Sequence, residues 1–247
     1  MNNKKIAGKT RNDVTKKAAK QAKGIMPQCS KNAKNGQYSL AKRVKIAQMI
    51  CEQYADAECE LKFNSTFELL VAVILSAQCT DKRVNQVTDV LFKELNRPEQ
   101  FANISQQKLE QYIRPCGFYH NKAKNIIACA RDLVSRFDGV VPQRKDDLKS
   151  LAGVGEKTAN VVLSTAFKEP AIAVDTHVFR VSQRLGLASG KDVKEVQKCL
   201  EKLPRELWSN LHYGLVLHGR YVCKARKPIC DGCSFKENCM YFNKNIK

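Results

Sequence analysis

No stretch of this 247-residue sequence is apolar for long enough to cross a membrane. The longest apolar run, Phe67 to Cys79, falls short of the roughly 20 residues that a bilayer core of about 30 Å demands, and Glu68, Ser76 and Gln78 interrupt it. It reads as a buried core helix. The N-terminal MNNKKIAGKTRNDVTKK lacks an apolar h-region, so a secretory signal is not expected, although so acid-poor a segment leaves a weak organelle-targeting role open. The expected setting is intracellular. Sustained period-two alternation is missing, and so is an internal repeat. Acidic residues are scarce: 24 Asp and Glu against 43 Lys and Arg give a net charge of +19 and a pI near 9.5. Such a balance calls for a polyanionic partner, nucleic acid first and an acidic membrane surface second.

The shortage of acids is most severe at the start. Residues 1 to 45 hold thirteen Lys or Arg and one acid, Asp13, which leaves +7 for the rest of the chain. Residues 1 to 38 also have few large apolar groups, so they are expected to form a disordered basic tail. That tail either strengthens non-specific DNA binding or serves as solvating charge. Cysteine, by contrast, is plentiful. There are eleven, an odd number, in a chain too long to need disulfide staples, and four fall within the last 25 residues. This skew points to metal ligation in a reducing compartment.

Helical spacing of apolar residues starts with Leu40, Val44, Ala47, Ile50 and Tyr54, behind Ser39 as N-cap. Ser65-Thr66-Phe67-Glu68 is a capping box ahead of LLVAVILSAQ, which is apolar nearly all round and so central to a domain. Further helices are predicted over 82–95, 105–114, 120–137, 157–168, 175–187, 192–202 and 206–218. Fragments such as Gly139 to Pro142 read as connectors. The class is all-α.

One stretch carries more chemistry than the others. Residues 146 to 151, DDLKSL, form a short amphipathic helix, Ala152 to Glu156 a tight glycine turn, and Lys157 onward a second helix, which together make a helix-hairpin-helix. Gly153 and Gly155 allow positive φ and leave backbone N–H groups uncovered beside a helix N-terminus, a seat for a phosphate. Lys157 is out of place there, because unsatisfied amides already supply roughly half a positive charge. An unperturbed lysine carries a free amine in only about one molecule in 2,500 at neutral pH. The helix terminus shifts that by less than about one pKa unit. A nucleophilic lysine here therefore needs desolvation or a nearby base, and a phosphate-binding or solvent-facing lysine needs neither.

Two other constellations stand out. In Ile172-Ala173-Val174-Asp175-Thr176-His177-Val178-Phe179-Arg180, Asp175 sits between an apolar, strand-like lead-in and the next helix, where an aspartate is a favoured N-cap. Near the C-terminus, Cys223, Cys230, Cys233 and Cys239 have the spacing C-x6-C-x2-C-x5-C. Four thiolates so spaced suit either a tetrahedral zinc ion or a four-iron cluster.

Taken together these motifs resemble one family. Leu151 to Val162, with its L-x-G-V-G-x-K-T-A pattern, is similar to the hairpin of the helix-hairpin-helix DNA glycosylases, and most closely to that of endonuclease III. The V-D-T-H-V-x-R stretch and the cysteine spacing match the same family, and the likeness runs from about residue 39 to 240. It implies a two-lobed all-α fold, with a six-helix barrel lobe over 59–169 and an iron-sulfur cluster lobe from 39–58 and 170–247. DNA would bind in the cleft between them.

The resemblance also implies roles. Lys157 would be the nucleophile and Asp175 the acid that assists base removal. Cys223, Cys230, Cys233 and Cys239 would hold a [4Fe-4S] cluster, presenting Lys224, Arg226 and Lys227 to DNA phosphates. Gln78, after the central helix, would fill the gap left by a flipped nucleotide, its alternative being a helix C-cap amide. Phe118 stands where the family often has leucine and would act as a wedge, its alternative being the core. His177 would pack or touch a phosphate, and Gly153 and Gly155 would face the backbone of the DNA. The implied partner is double-stranded DNA bearing damaged pyrimidines or abasic sites, acted on by a monomer with no membrane association. The implied location is intracellular and DNA-associated, with the bacterial cytoplasm and nucleoid favoured. Ala152, where proline is frequent, acidic Glu156 and the basic tail depart from the pattern.

Overall fold

The computed structural model describes residues 37–245, and every regular element among them is helical. In chain order these are α1 (Leu40–Gln53), α2 (Thr66–Leu75), α3 (Asp81–Glu94), α4 (Pro98–Asn103), α5 (Gln106–Ile113), α6 (Tyr119–Arg136), α7 (Lys145–Lys149), α8 (Glu156–Ala166), α9 (Thr176–Arg184), α10 (Val193–Leu200), α11 (Trp208–Tyr221) and α12 (Met240–Asn245). Short 3-10 turns lie at Arg114–Cys116, Arg205–Leu207 and Lys236–Asn238. The basic tail expected over 1–38 falls outside the described residues as far as 36. Tyr38 is tied to the fold: its N–H donates to the Gly186 carbonyl at 3.1 Å, and Lys42 Nζ lies 3.6 Å from its ring centroid.

Short polar side chains start the helices where the sequence placed them. Ser65 accepts the Glu68 amide at 3.1 Å, and Thr80, Ser105, Asp175 and Asp192 cap α3, α5, α9 and α10 in the same way. The capping box is displaced by one residue: the Glu68 carboxylate takes the Asn64 amide at 2.5 Å instead of that of Ser65. Ser39 stands at the N-cap of α1 without a side-chain cap bond.

Two helices were not predicted. α4 and α12 span six residues each, too few for a periodic signal. Pro98 at the first position of α4 is the one local sign of it. The stripe on α1 also differs, with Arg43, Ile46, Ala47 and Ile50 buried and Leu40 left 40% exposed. Arg43 survives burial because it donates to the carbonyls of Leu187 at 2.6 Å and Cys199 at 2.5 Å.

The side chains sort into two cores. The first runs from Leu61 to Ala173 and is built around α2, whose residues Phe67 to Leu75 are all buried, as a helix apolar on every face requires. The second joins Ile46, Ala47 and Ile50 of α1 to residues from Ile172 to Phe242.

The two cores meet along a single extended strand of chain. Ala171 and Ala173 belong to the first core, whereas Ile172 and Val174 belong to the second. Alternation of this kind normally signals a sheet, yet among the described residues no strand pairs with this segment. Its buried carbonyls are met by side chains instead: Asn160 of α8 donates to Ile172 O at 3.0 Å, and His212 of α11 to Ala173 O at 2.8 Å. Burying Ile172 and Val174 contributes at most about 1.5–3 kcal/mol each. Asp175 comes next in the chain, so it is delivered to the seam between the cores by a segment held from both sides.

Candidate active site

The hairpin forms as predicted, with one difference in its glycines. Leu148, Leu151 and Val154 are buried in the first core and anchor the turn between α7 and α8. Gly153 takes φ +79°, and a Cβ there would stand 2.9 Å from Asn125 Cβ, so conformation and space both require glycine. Gly155 is not left-handed. It is the extended N-cap of α8, with open space where a side chain would be. Both glycines are exposed, and among the described residues neither amide has a backbone acceptor. With the first amides of α8, they leave a patch of N–H donors for an oxyanion.

Glu156 opens α8 and is engaged by the preceding helix. Its carboxylate pairs with Lys149 at 2.9 Å and with Lys145, both on α7. Partial burial opposes the charged form, yet hydrogen bonds and charge from the two lysines outweigh it and pull the carboxyl down to about 2. The acid is thus ionised at any physiological pH, and its charge is spent clamping the two hairpin helices.

Lys157, the second residue of α8, is exposed and makes no hydrogen bond or ion pair among the described residues. It borders an open cleft of about 1000 Å³, whose lining also includes Gln78, Asp81, Asp175, His177 and Arg220. Behind the cleft lies a smaller cavity of about 70 Å³, and Lys157, Asp175, Asp81 and Arg220 line both. A separate groove of about 740 Å³, lined by Cys59, Phe63, Asp89, Phe92, Ser164 and Tyr213 among others, holds none of the predicted site residues.

Asp175 is half-buried, and its Oδ1 accepts the Val178 amide at 2.7 Å as N-cap of α9. The cap bond uses one oxygen and fixes the carboxylate's orientation. His177, next on the same turn, lies against α11 where Gly219 permits it; a Cβ on Gly219 would come within 2.8 Å of His177 Cβ. Arg180 Nη2 lies 3.2 Å from His177 Nδ1, so the histidine packs while still bordering the cleft.

Sequence reasoning missed a charged network and a buried histidine here. Asp81 pairs with Arg220 at 2.5 Å, and Arg220 also pairs with Glu60, which accepts from Tyr221 at 3.1 Å. This network joins α3 of the first core to α11 of the second beside Lys157. Burial raises the Asp81 carboxyl above its usual range, the Lys157 ammonium lowers it, and Asp175 raises it again. His212 is fully buried, and burial lowers its pKa, so the ring is neutral. The bond to Ala173 O then requires the proton on Nδ1. Asp81 was visible only as a helix-starting acid after Thr80, and the partner 139 residues away gave no local signal.

The two proposed wedge residues share an unusual backbone. Gln78 has φ +53° and Phe118 φ +45°, left-handed values that bulky side chains seldom adopt. Both are exposed, Phe118 by 67%, which removes its core alternative, and α2 ends at Leu75, which removes the C-cap role from Gln78. Strain of this kind collects at functional sites, where the surrounding fold over-determines it.

The four cysteines gather apart from the cleft. All four line one cavity of about 20 Å³, floored by Leu185, His218 and Phe242. Among the described residues, no three His, Cys, Asp or Glu side chains are set to hold a single metal ion. Four thiols lining one space suit either a tetrahedral zinc ion or a four-iron cluster. Donors are in place for charged sulfurs: the Phe242 amide lies 3.5 Å from Cys239 Sγ, and Arg184 Nη1 lies 3.5 Å from Cys223 Sγ. Arg184 also donates to Lys224 O at 2.8 Å and Ala225 O at 3.0 Å, and Arg180 to Cys223 O at 3.1 Å. Helix α9 thus carries Asp175 at one end and staples the cysteine loop at the other. Lys224, Arg226 and Lys227 stand exposed on that loop.

Comparison with known proteins adds to this geometry. Residues 71–206 match the family described as HhH-GPD superfamily base excision DNA repair protein. The chain is 48% identical to endonuclease III of Haemophilus influenzae over 204 residues, 82% of this chain and 97% of that one. Among solved structures, a non-covalent endonuclease III–DNA complex superposes with a TM-score of 0.79 at 45% identity, covering 84% of this chain and 98% of the other. A trapped endonuclease III–DNA covalent intermediate gives a TM-score of 0.81 at 44% identity, covering 85% and 100%.

Proposed function

The chain belongs to the endonuclease III family within the HhH-GPD superfamily, and from that premise we propose that it is a base-excision repair enzyme, a DNA glycosylase and abasic-site lyase acting on oxidised pyrimidines in duplex DNA. One observation carries the reading: Lys157 and Asp175 reach the same cleft from elements tied to different cores, in a protein whose relative has been trapped covalently on DNA. The exposed hairpin amides suit a backbone phosphate, and the body's positive charge suits the duplex as a whole.

In this reading the Lys157 amine attacks C1′ of a flipped nucleotide. The bond to the base breaks and the base leaves with its electron pair and a proton. The C1′–O4′ bond of this aminal then breaks, O4′ taking a proton as the sugar ring opens, and the resulting iminium between Nζ and C1′ acidifies C2′, so that loss of a C2′ proton expels the 3′ phosphate by β-elimination. Asp175 stabilises positive charge developing at the sugar and relays protons to or from the amine. Gln78 and Phe118 occupy the space the flipped nucleotide vacates. The protein acts as a monomer, and it associates with DNA inside the cell.

Cys223, Cys230, Cys233 and Cys239 would hold a [4Fe-4S] cluster, whose bound state fixes the loop that displays Lys224, Arg226 and Lys227. Iron and acid-labile sulfide, each at about four per chain in protein purified without oxygen, are expected. Stoichiometric zinc in their place would overturn the assignment.

The activity is tested with duplexes containing thymine glycol or an abasic site. The expected products are free damaged base and a strand cut 3′ to the lesion. Base release with an intact strand would reduce the enzyme to a monofunctional glycosylase, and binding with neither event would make it a DNA-binding protein only.

A further inference from the structure

The loops that carry Gln78 and Phe118 are tied together from beneath. Lys122 of α6 is 5% exposed, and its Nζ donates to Leu75 O at the end of α2 and to Cys116 O before Phe118, both at 2.9 Å. Two thiols share this junction. Cys79 directly follows Gln78 and borders the cleft; Cys116 precedes Phe118 by two residues and is 2% exposed in the first core. The Cys79 side chain bears on the Cys116 thiol, and both cysteines bear on the Lys122 ammonium that ties the two loops. Neither has a part in the chemistry above.

We propose that Cys79 and Cys116 are an oxidative modification site, at which peroxide forms a disulfide that joins the Gln78 and Phe118 loops and lowers the enzyme's hold on lesion DNA. This rests on the proposed function for the roles of Gln78 and Phe118. The sulfur of Cys79, a partly exposed residue of the cleft lining, attacks one oxygen of hydrogen peroxide. An S–O bond forms, the O–O bond breaks, and the departing hydroxide takes the thiol proton as water. The Cys116 sulfur then attacks the sulfenic Cys79 sulfur; an S–S bond forms, the S–O bond breaks, and hydroxide leaves with the Cys116 proton as a second water. Two thiols lose two electrons, and one peroxide becomes two waters.

The order of attack follows from the surroundings. Burial first, and the neighbouring Cys79 sulfur second, push the Cys116 thiol up to about 12, so Cys116 is not the group that meets peroxide. Once Cys79 is a neutral sulfenic acid, its part of that effect disappears and Cys116 becomes the resolving thiol. Closing to an S–S bond of about 2 Å draws the sulfurs together. Gln78 is bonded to one of these cysteines and Phe118 is two residues from the other, both already strained. Their side chains cannot keep their positions.

The test treats intact protein anaerobically with a few equivalents of hydrogen peroxide, with cluster absorbance recorded throughout. Peptide mapping should find a 79–116 bridge, and affinity for thymine-glycol duplex should fall by about tenfold or more and return with dithiothreitol. Cys116→Ser, with Cys116→Ala as a second variant should serine at a buried site impair folding, should keep the untreated activity and resist the loss. Absence of the bridge, or an equal loss in a Cys116 variant whose cluster is intact, would overturn the proposal. The reduced protein's cleavage of lesion DNA reads the proposed function separately, and its failure would leave a mapped bridge standing as evidence for the thiol pair.

Discussion

Lys157→Ala is expected to yield no borohydride-trapped protein–DNA adduct and to lose turnover by about 10⁴-fold or more, the scale seen when a covalent nucleophile is removed. Stability should not fall with it. Lys157 is exposed, has no bonded partner among the described residues, and puts a cation at the end of α8 where the helix dipole disfavours one by about 0.3–1 kcal/mol. The variant should therefore melt at the wild-type temperature or slightly above it. Affinity for lesion DNA should drop modestly, since the Gly153 and Gly155 amides and the basic loop remain. Adduct trapping comparable to wild type in Lys157→Ala would remove the lysine from the mechanism. The neighbouring carboxylate of Glu156 is engaged by Lys145 and Lys149 of α7.

What sequence could reveal depended on how local the physics was. Hairpin, cap and cysteine spacing are each set by residues a few positions apart, so glycine conformation, capping preference and ligand chemistry identify them directly. Gly155 shows the limit even there: glycine permits a positive φ, but the open N-cap of α8 asked only for a missing side chain. The extended stretch before Asp175 also looked like a strand for a sound reason. Its alternation is real, but it faces two helical cores instead of two sides of a sheet. The Asp81–Arg220 pair, the Asn160 and His212 grips and the Arg184 staple join residues between 12 and 139 positions apart. No propensity or spacing encodes such pairings, and they are what bring Lys157 and Asp175 to one cleft.

Asp175 caps α9 and, in the proposed mechanism, also assists the chemistry, and two substitutions separate the two roles. Asn is as good an N-cap as Asp, so Asp175→Asn should keep the bond to the Val178 amide and change stability by only a few tenths of a kcal/mol. It removes the negative charge facing Lys157 and the sugar, and kcat should fall by about 10² to 10⁴, the usual contribution of a positioned acid or base. Asp175→Ala removes both functions, and should add a stability loss of about 1 kcal/mol to a similar kinetic defect. Thermal melts and single-turnover base release on the same three proteins give the comparison. If Asp175→Asn retained kcat within about threefold while Asp175→Ala lost both stability and rate, the carboxylate would be a cap and nothing more. The structure favours the other outcome, because the cap bond occupies one carboxylate oxygen and the residue still lines the cleft beside Lys157. The lead-in held by Asn160 and His212 also fixes the turn firmly enough that a lost charge need not become a lost fold.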